Sequence, residues 1–222
     1  MHVRLGRFSV VWLLPFFFSV CSSPPRGVII LCAGDSITAQ AYPHFLQRLF
    51  ARDGVRARVL NYGRSGFTSA EYRAFLAKNL ERMSREHPDA VLLQLGTNDV
   101  RVDGDRGTAA DFASNMRAIT AAFRSLKSRS GRPPLLMLAT VPPIPATTPF
   151  PFSAESVRRV EEEINPAVRA LASEEGLPLV DNHALFLARP ELLPGIHPSR
   201  EGYQALAERW YEALRPRLGP TR

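Results

Sequence analysis

Lysine is nearly missing from this chain. Of 28 basic side chains in 222 residues only Lys78 and Lys127 are lysines, so arginine carries the formal charge of +7. The arginines are scattered and form no basic run, which argues against a nucleic-acid partner. Dispersed, solvated guanidinium is the plain reading, and attraction to anionic glycans or headgroups stays open. Cysteine is equally scarce: Cys21 and Cys32 are the two present, and no reading of them leaves a pair for an internal disulfide. His44, His87 and His183 are isolated from one another, and no HxxxH or CxxC spacing occurs. The histidine and cysteine pattern therefore suggests no metal. Nothing suggests a phosphate loop, an internal repeat or a second domain, and nothing fixes the oligomeric state.

What is there has the 45% hydrophobic content of a folded protein, and the length fits one domain with a substantial core. The first residues stand apart. Arg4 and Arg7 precede the apolar stretch Phe8 to Val20, and Cys21-Ser22-Ser23-Pro24-Pro25 follows. A charged start, an apolar run too short for a comfortable membrane span and a small-residue exit describe a secretory signal over 1–25. The folded domain is expected over 26–222. Cys21 falls where a bacterial lipoprotein carries its lipidated cysteine, although Val20 departs from the usual small residue before it. A lipid anchor and a cysteine lost with the signal both fit; either way the protein is exported, as a periplasmic, membrane-anchored or secreted species. Cys32 reads as a small buried hydrophobe.

From Val28 onward the pattern alternates strand and helix. Strands are expected at Val28–Ala33, Arg56–Tyr62, Ala90–Leu95, Leu135–Thr140 and Leu177–Val180. The first, third and fourth are continuous apolar runs, as strands covered on both faces require. Helices fill the gaps. Pro43 suits a first turn, Ser69 caps a helix to about Glu86, and Thr108 caps one that lasts until Gly131. Ser153 caps another, which Pro166 kinks or divides, and a last helix starts near Ser199. Such alternation means a doubly wound α/β layer structure with a parallel five-stranded sheet and right-handed crossovers. The proline-rich segment Val141 to Phe152 follows the fourth strand. It is read as a wall of the ligand site, with simple cover for the core as the other reading.

Ligands of such a sheet gather at the C-terminal ends of its strands, and four short blocks lie just after a strand or just before a helix. They are Gly34-Asp35-Ser36-Ile37-Thr38, Asn61-Tyr62-Gly63, Gly96-Thr97-Asn98-Asp99 and Gly195-Ile196-His197-Pro198. Each alone has a bland reading: an N-cap serine, a turn glycine, an Asx-turn asparagine, a histidine beside a helix start. Together and in this order they resemble the GDSL/SGNH hydrolase family, from about Val28 to Leu214. The resemblance implies a three-layer α/β/α, flavodoxin-like SGNH fold and a serine esterase that uses no metal or organic cofactor. It implies Ser36 as nucleophile and His197 as general base. Gly63 through its N–H, Asn98 through its amide and the Ser36 N–H are implied as donors to the oxyanion.

One position departs from that pattern. The family carries an aspartate three residues before the histidine, and this chain has Pro194 there. Asp181, Glu191 or a backbone carbonyl are the candidate surrogates for the acid, with Asp181 also readable as a strand-end or helix-cap residue. A Ser-His dyad is the alternative. Because no insertion is large enough for a lipid tunnel, a short acyl group is expected, acetyl on a glycan or small molecule. A lysophospholipase or thioesterase, and a non-catalytic glycan-binding protein that retains the fold, are the rival readings.

Overall fold

The computed structural model describes residues 27–218. The signal segment, Cys21 and its lipidation lie outside these residues. Five parallel strands form one sheet in the order β2-β1-β3-β4-β5, where β1 is Val28–Gly34, β2 Ala57–Gly63, β3 Ala90–Gln94, β4 Leu135–Ala139 and β5 Leu179–Val180. The helices are α1 Ser36–Ala39, α2 Tyr42–Arg52, α3 Ser69–Ser84, α4 Ala109–Ser125, α5 Ala154–Arg159, α6 Asn165–Glu174, α7 Asn182–Ala188 and α8 Arg200–Leu214. The order reverses between β1 and β3, the switch point of a doubly wound sheet, where a crevice opens at the strand ends.

The continuous apolar runs have the cause their pattern suggests. All seven residues of β1 and all five of β3 are buried. On β1 alternate side chains serve opposite layers. Val28, Ile30 and Cys32 join α2 and α8 around the fully buried Trp210 and Tyr42. Leu31 and Ala33 join α3, α4 and α6 on the other face, with Tyr72, Phe112, Phe123 and Val168. Cys32 is a free, buried thiol, and burial pushes it up to about 12. It packs as a small hydrophobe.

Helix starts follow local chemistry, with two corrections. α3 is capped by Thr68, whose hydroxyl and the Glu71 carboxylate form a reciprocal box. Ser69, expected as the cap, is the first helical residue, and its hydroxyl is committed to Asp99 at 2.5 Å. α4 begins at its expected cap Thr108 but stops at Ser125, well before Gly131. Ser153 and Ser199 cap α5 and α8 as expected. The break near Pro166 is a single π turn over Val160–Ile164, with the proline in the first turn of α6. There its missing N–H costs nothing. The amide of Asn165 then clamps both backbone groups of Val141, at 2.7 and 3.0 Å, and so fixes the start of the loop after β4.

Candidate active site

The nucleophile position is built by a tight strand-to-helix turn. β1 ends at Gly34, and the Asp35 carboxylate caps α1 by accepting the Ile37 N–H at 2.9 Å. Ser36 thus becomes the first residue of α1, where its own N–H has no intrahelical acceptor. Its Oγ lies 2.8 Å from Nε2 of His197, although 161 residues separate them. Ser36 is 9% exposed, so a small ligand reaches it from the crevice. On the far side, Ser199 caps α8 and its N–H bonds the Leu192 carbonyl at 2.9 Å. That pairing holds the turn that carries His197.

Asn98 sits in a 3₁₀ turn directly after β3, next to β1 in the sheet. Its Nδ2 donates to the Phe67 carbonyl at 3.0 Å, which fixes the amide and leaves the second Nδ2 hydrogen for a ligand. The neighbouring Asp99 carboxylate accepts the Ser69 N–H at 3.0 Å on each oxygen. Asn115 in turn donates to the Ser69 hydroxyl at 3.2 Å. This network ties the start of α3 and the middle of α4 to the Asn98 turn.

Gly63 requires a correction. Its N–H is taken by the Asn61 side chain at 2.9 Å, so it offers no free donor. The reason for glycine at 63 is close packing. A Cβ there would lie 2.6 Å from the Ala39 Cα and 2.7 Å from the Thr38 carbonyl carbon, both backbone atoms of α1. The sequence reading missed Gly66, three residues on. Gly66 is exposed, has φ +80°, and a Cβ there would meet nothing. Its N–H has no protein acceptor among the described residues, and the next residue, Phe67, is the one that holds Asn98. The signal was available as the second glycine of Asn61-Tyr62-Gly63-Arg64-Ser65-Gly66.

Electrostatics favour a neutral imidazole. Burial holds His197 below its ordinary value, and no carboxylate opposes that. Its only hydrogen bond among the described residues is the one to Ser36, so Nδ1 has no protein partner there. Pro194 is exposed. Asp181 does not supply the missing acid by contact. One carboxylate oxygen caps α7 through the Ala184 N–H at 3.1 Å and accepts the Thr140 hydroxyl at 2.9 Å. The other accepts Arg169 at 2.7 Å. Burial pushes this carboxyl up, yet those partners together hold it below the usual carboxylate range. Glu191 pairs with Arg189 on the surface. Asp35, fully buried under the nucleophile, is pushed up to about 6 by burial, with contacts to Thr97 and the Ile37 amide pulling the other way.

The loop after β4 is anchored by contacts of its own. The Val102 N–H donates to the Pro151 carbonyl at 2.9 Å, Val141 and Ile144 are buried, and the loop closes a cavity of about 270 Å³ against α5. Covering the core is its visible role.

A serine hydroxyl against an imidazole, with an anchored amide beside them, is an arrangement that can carry acyl transfer, and sequence comparison points to an acyl-transfer family. The model of the GDSL-like lipase/acylhydrolase family matches residues 32–205. The chain belongs to this family. An acetylxylan esterase from Xylanibacter ruminicola is 28% identical over 218 residues, covering 86% of this chain and 44% of the relative. The chain therefore spans less than half the length of that curated relative. Among solved structures, a lipase/acylhydrolase from Enterococcus faecalis superposes with a TM-score of 0.71 at 23% identity, over 88% of this chain and 99% of the other. A carbohydrate acetylesterase family member from Sinorhizobium meliloti gives 0.70 at 20%, over 87% and 100%. These likenesses establish a three-layer GDSL-hydrolase fold.

Proposed function

We propose that this GDSL-family chain is an exported serine esterase that removes short acyl groups, acetyl foremost, from a glycan. The observation that carries the reading is the 2.8 Å contact between Ser36 Oγ and His197 Nε2, set beside the anchored Asn98 amide. Ser36 attacks the ester carbonyl while His197 takes its proton. The oxyanion that forms accepts from the Asn98 amide, the Ser36 N–H and the Gly66 N–H. The oxyanion then collapses, the acyl C–O bond to the sugar breaks, and the imidazolium gives its proton to the departing sugar oxygen, leaving the acyl-serine. Water, deprotonated by His197, attacks the acyl-serine, and collapse of the second oxyanion frees the carboxylic acid and Ser36. Without a carboxylate at 194, His197 works as half of a dyad, orienting itself through Ser36 alone.

A glycan substrate is supported by the acetylxylan esterase relative and the acetylesterase neighbour. A short acyl group is supported by the lack of an insertion large enough for a lipid tunnel. Export is supported by the charged start and short apolar run over 1–25; the mass of the N-terminus in the native host tests it, since retention of Met1 contradicts export. Turnover of p-nitrophenyl acetate, butyrate and octanoate, with acetylated xylan alongside, tests the activity. Falling kcat/KM with chain length supports the proposal. Preference for octanoate, or no turnover of any ester, overturns it, and the second outcome favours a glycan-binding protein that has lost its acid.

A further inference from the structure

The departing sugar must lie on the imidazole side of the reacting ester, because His197 has to protonate its oxygen. A cavity of about 460 Å³ is lined by Pro198, the residue that follows His197. Pro198, bonded to His197, forms one wall together with Arg200 and Tyr203 from the start of α8; Ala41, Phe45 and Arg48 form the other, just past α1. The Tyr203 hydroxyl donates to Gln40 at 2.8 Å, which locks the two walls beside the C-terminal end of the nucleophile helix. The size lies within the range of small-molecule sites. Phe45, Pro198 and Tyr203 offer apolar faces to a sugar ring.

The charge of this cavity is one-sided. No carboxylate lines it. Arginines elsewhere are mostly engaged: Arg158 with three glutamates, Arg101 and Arg106 with Asp103, Arg169 with Asp181. Arg48 and Arg200, like Arg56, Arg82, Arg209 and Arg215, join no ion pair or side-chain hydrogen bond among the described residues, and of these six only Arg48 and Arg200 line the cavity. Two unpaired guanidinium groups lining one cavity from its two walls are matched by a planar carboxylate, to which a guanidinium fork donates in pairs.

We propose that this cavity is a subsite for a uronic acid on the acylated glycan, so that the enzyme selects acetyl esters next to a sugar carboxylate. The proposal rests on the glycan-esterase reading above. Its test compares an acetylated neutral xylo-oligosaccharide, the same oligosaccharide carrying a uronic acid, and a sulfated counterpart. The expected result is a kcat/KM about tenfold higher for the uronic acid substrate, residing mainly in KM, equivalent to one charge-assisted contact. The advantage shrinks as salt is raised. Arg48→Gln and Arg200→Gln each lower the acidic-to-neutral ratio, and Arg48→Lys retains part of it. A ratio near one in the wild type, a ratio unchanged in both variants, or preference for the sulfated sugar over the uronate overturns the proposal. Turnover of p-nitrophenyl acetate with a ratio of one overturns only this subsite, whereas absence of any ester turnover overturns the esterase reading beneath it.

Discussion

Replacing Pro194 by aspartate tests how much the missing acid costs. Burial alone acts on His197 and keeps it below the ordinary value near 6.5. The imidazole must be neutral to take the Ser36 proton, so activity should persist as pH falls below 6.5 and be lost only as His197 charges. A carboxylate at 194 adds the opposing influence. It favours the imidazolium, so the acidic limb of kcat/KM should move to higher pH. Position 194 is exposed, and exposed ion pairs contribute at most about 1 kcal/mol, a factor of roughly five in rate if spent on the transition state. Holding the productive tautomer adds to that, with the roughly 10⁴ that a protease loses on amidation of its aspartate as the ceiling. A plateau gain of up to about fivefold from the ion pair, enlarged by whatever the held tautomer adds, is therefore expected for Pro194→Asp, from pH profiles of p-nitrophenyl acetate hydrolysis. Pro194→Asn controls for loss of the proline ring and should give neither gain nor shift. An unmoved limb with an unchanged plateau, or equal effects of Asp and Asn, would refute the reasoning.

Asn98→Ala should lower kcat by about 10² to 10³, the usual cost of one oxyanion donor, with KM for p-nitrophenyl acetate little changed; a KM effect alone would speak for a binding role. Gly63→Ala forces a Cβ against the α1 backbone, so thermal unfolding should show a loss of about 1–3 kcal/mol. Gly66→Ala meets no atom but strains a left-handed residue by about 1–2 kcal/mol, and should depress kcat more than its effect on stability accounts for; the reverse order for the two glycines would reassign them. Cys32 should resist a thiol reagent in the native state and react on unfolding, because burial keeps it protonated. Rapid native modification would contradict its place in β1.

Continuous apolar runs announced β1, β3 and β4 because strands covered on both faces have no polar side to hide them. Caps such as Thr108, Ser153 and Ser199 were equally legible, since their side chains act within three residues. What stayed hidden depended on contacts distant in sequence. Ser69 looked like a cap until Asp99, thirty residues on, claimed its hydroxyl. Gly63 looked like a donor until Asn61 and the α1 backbone were seen to surround it, which shifts attention to Gly66. α7 was missed because Asn182–Ala188 is too short to show a helical period, although Asp181 had been read as a strand-end or helix-cap residue as well as a surrogate acid, and it is the cap of α7. The blocks placed Ser36 and His197 at the right edge of the sheet, but only the fold brings them to 2.8 Å.

The nucleophile itself is tested most directly by a fluorophosphonate probe on the purified protein, with the adduct located by peptide mass spectrometry. Labelling should fall on Ser36 alone, vanish in Ser36→Ala and slow strongly in His197→Ala, in step with p-nitrophenyl acetate turnover. Labelling of another serine, or full esterase activity in Ser36→Ala, would contradict a covalent mechanism at the β1–β3 switch point.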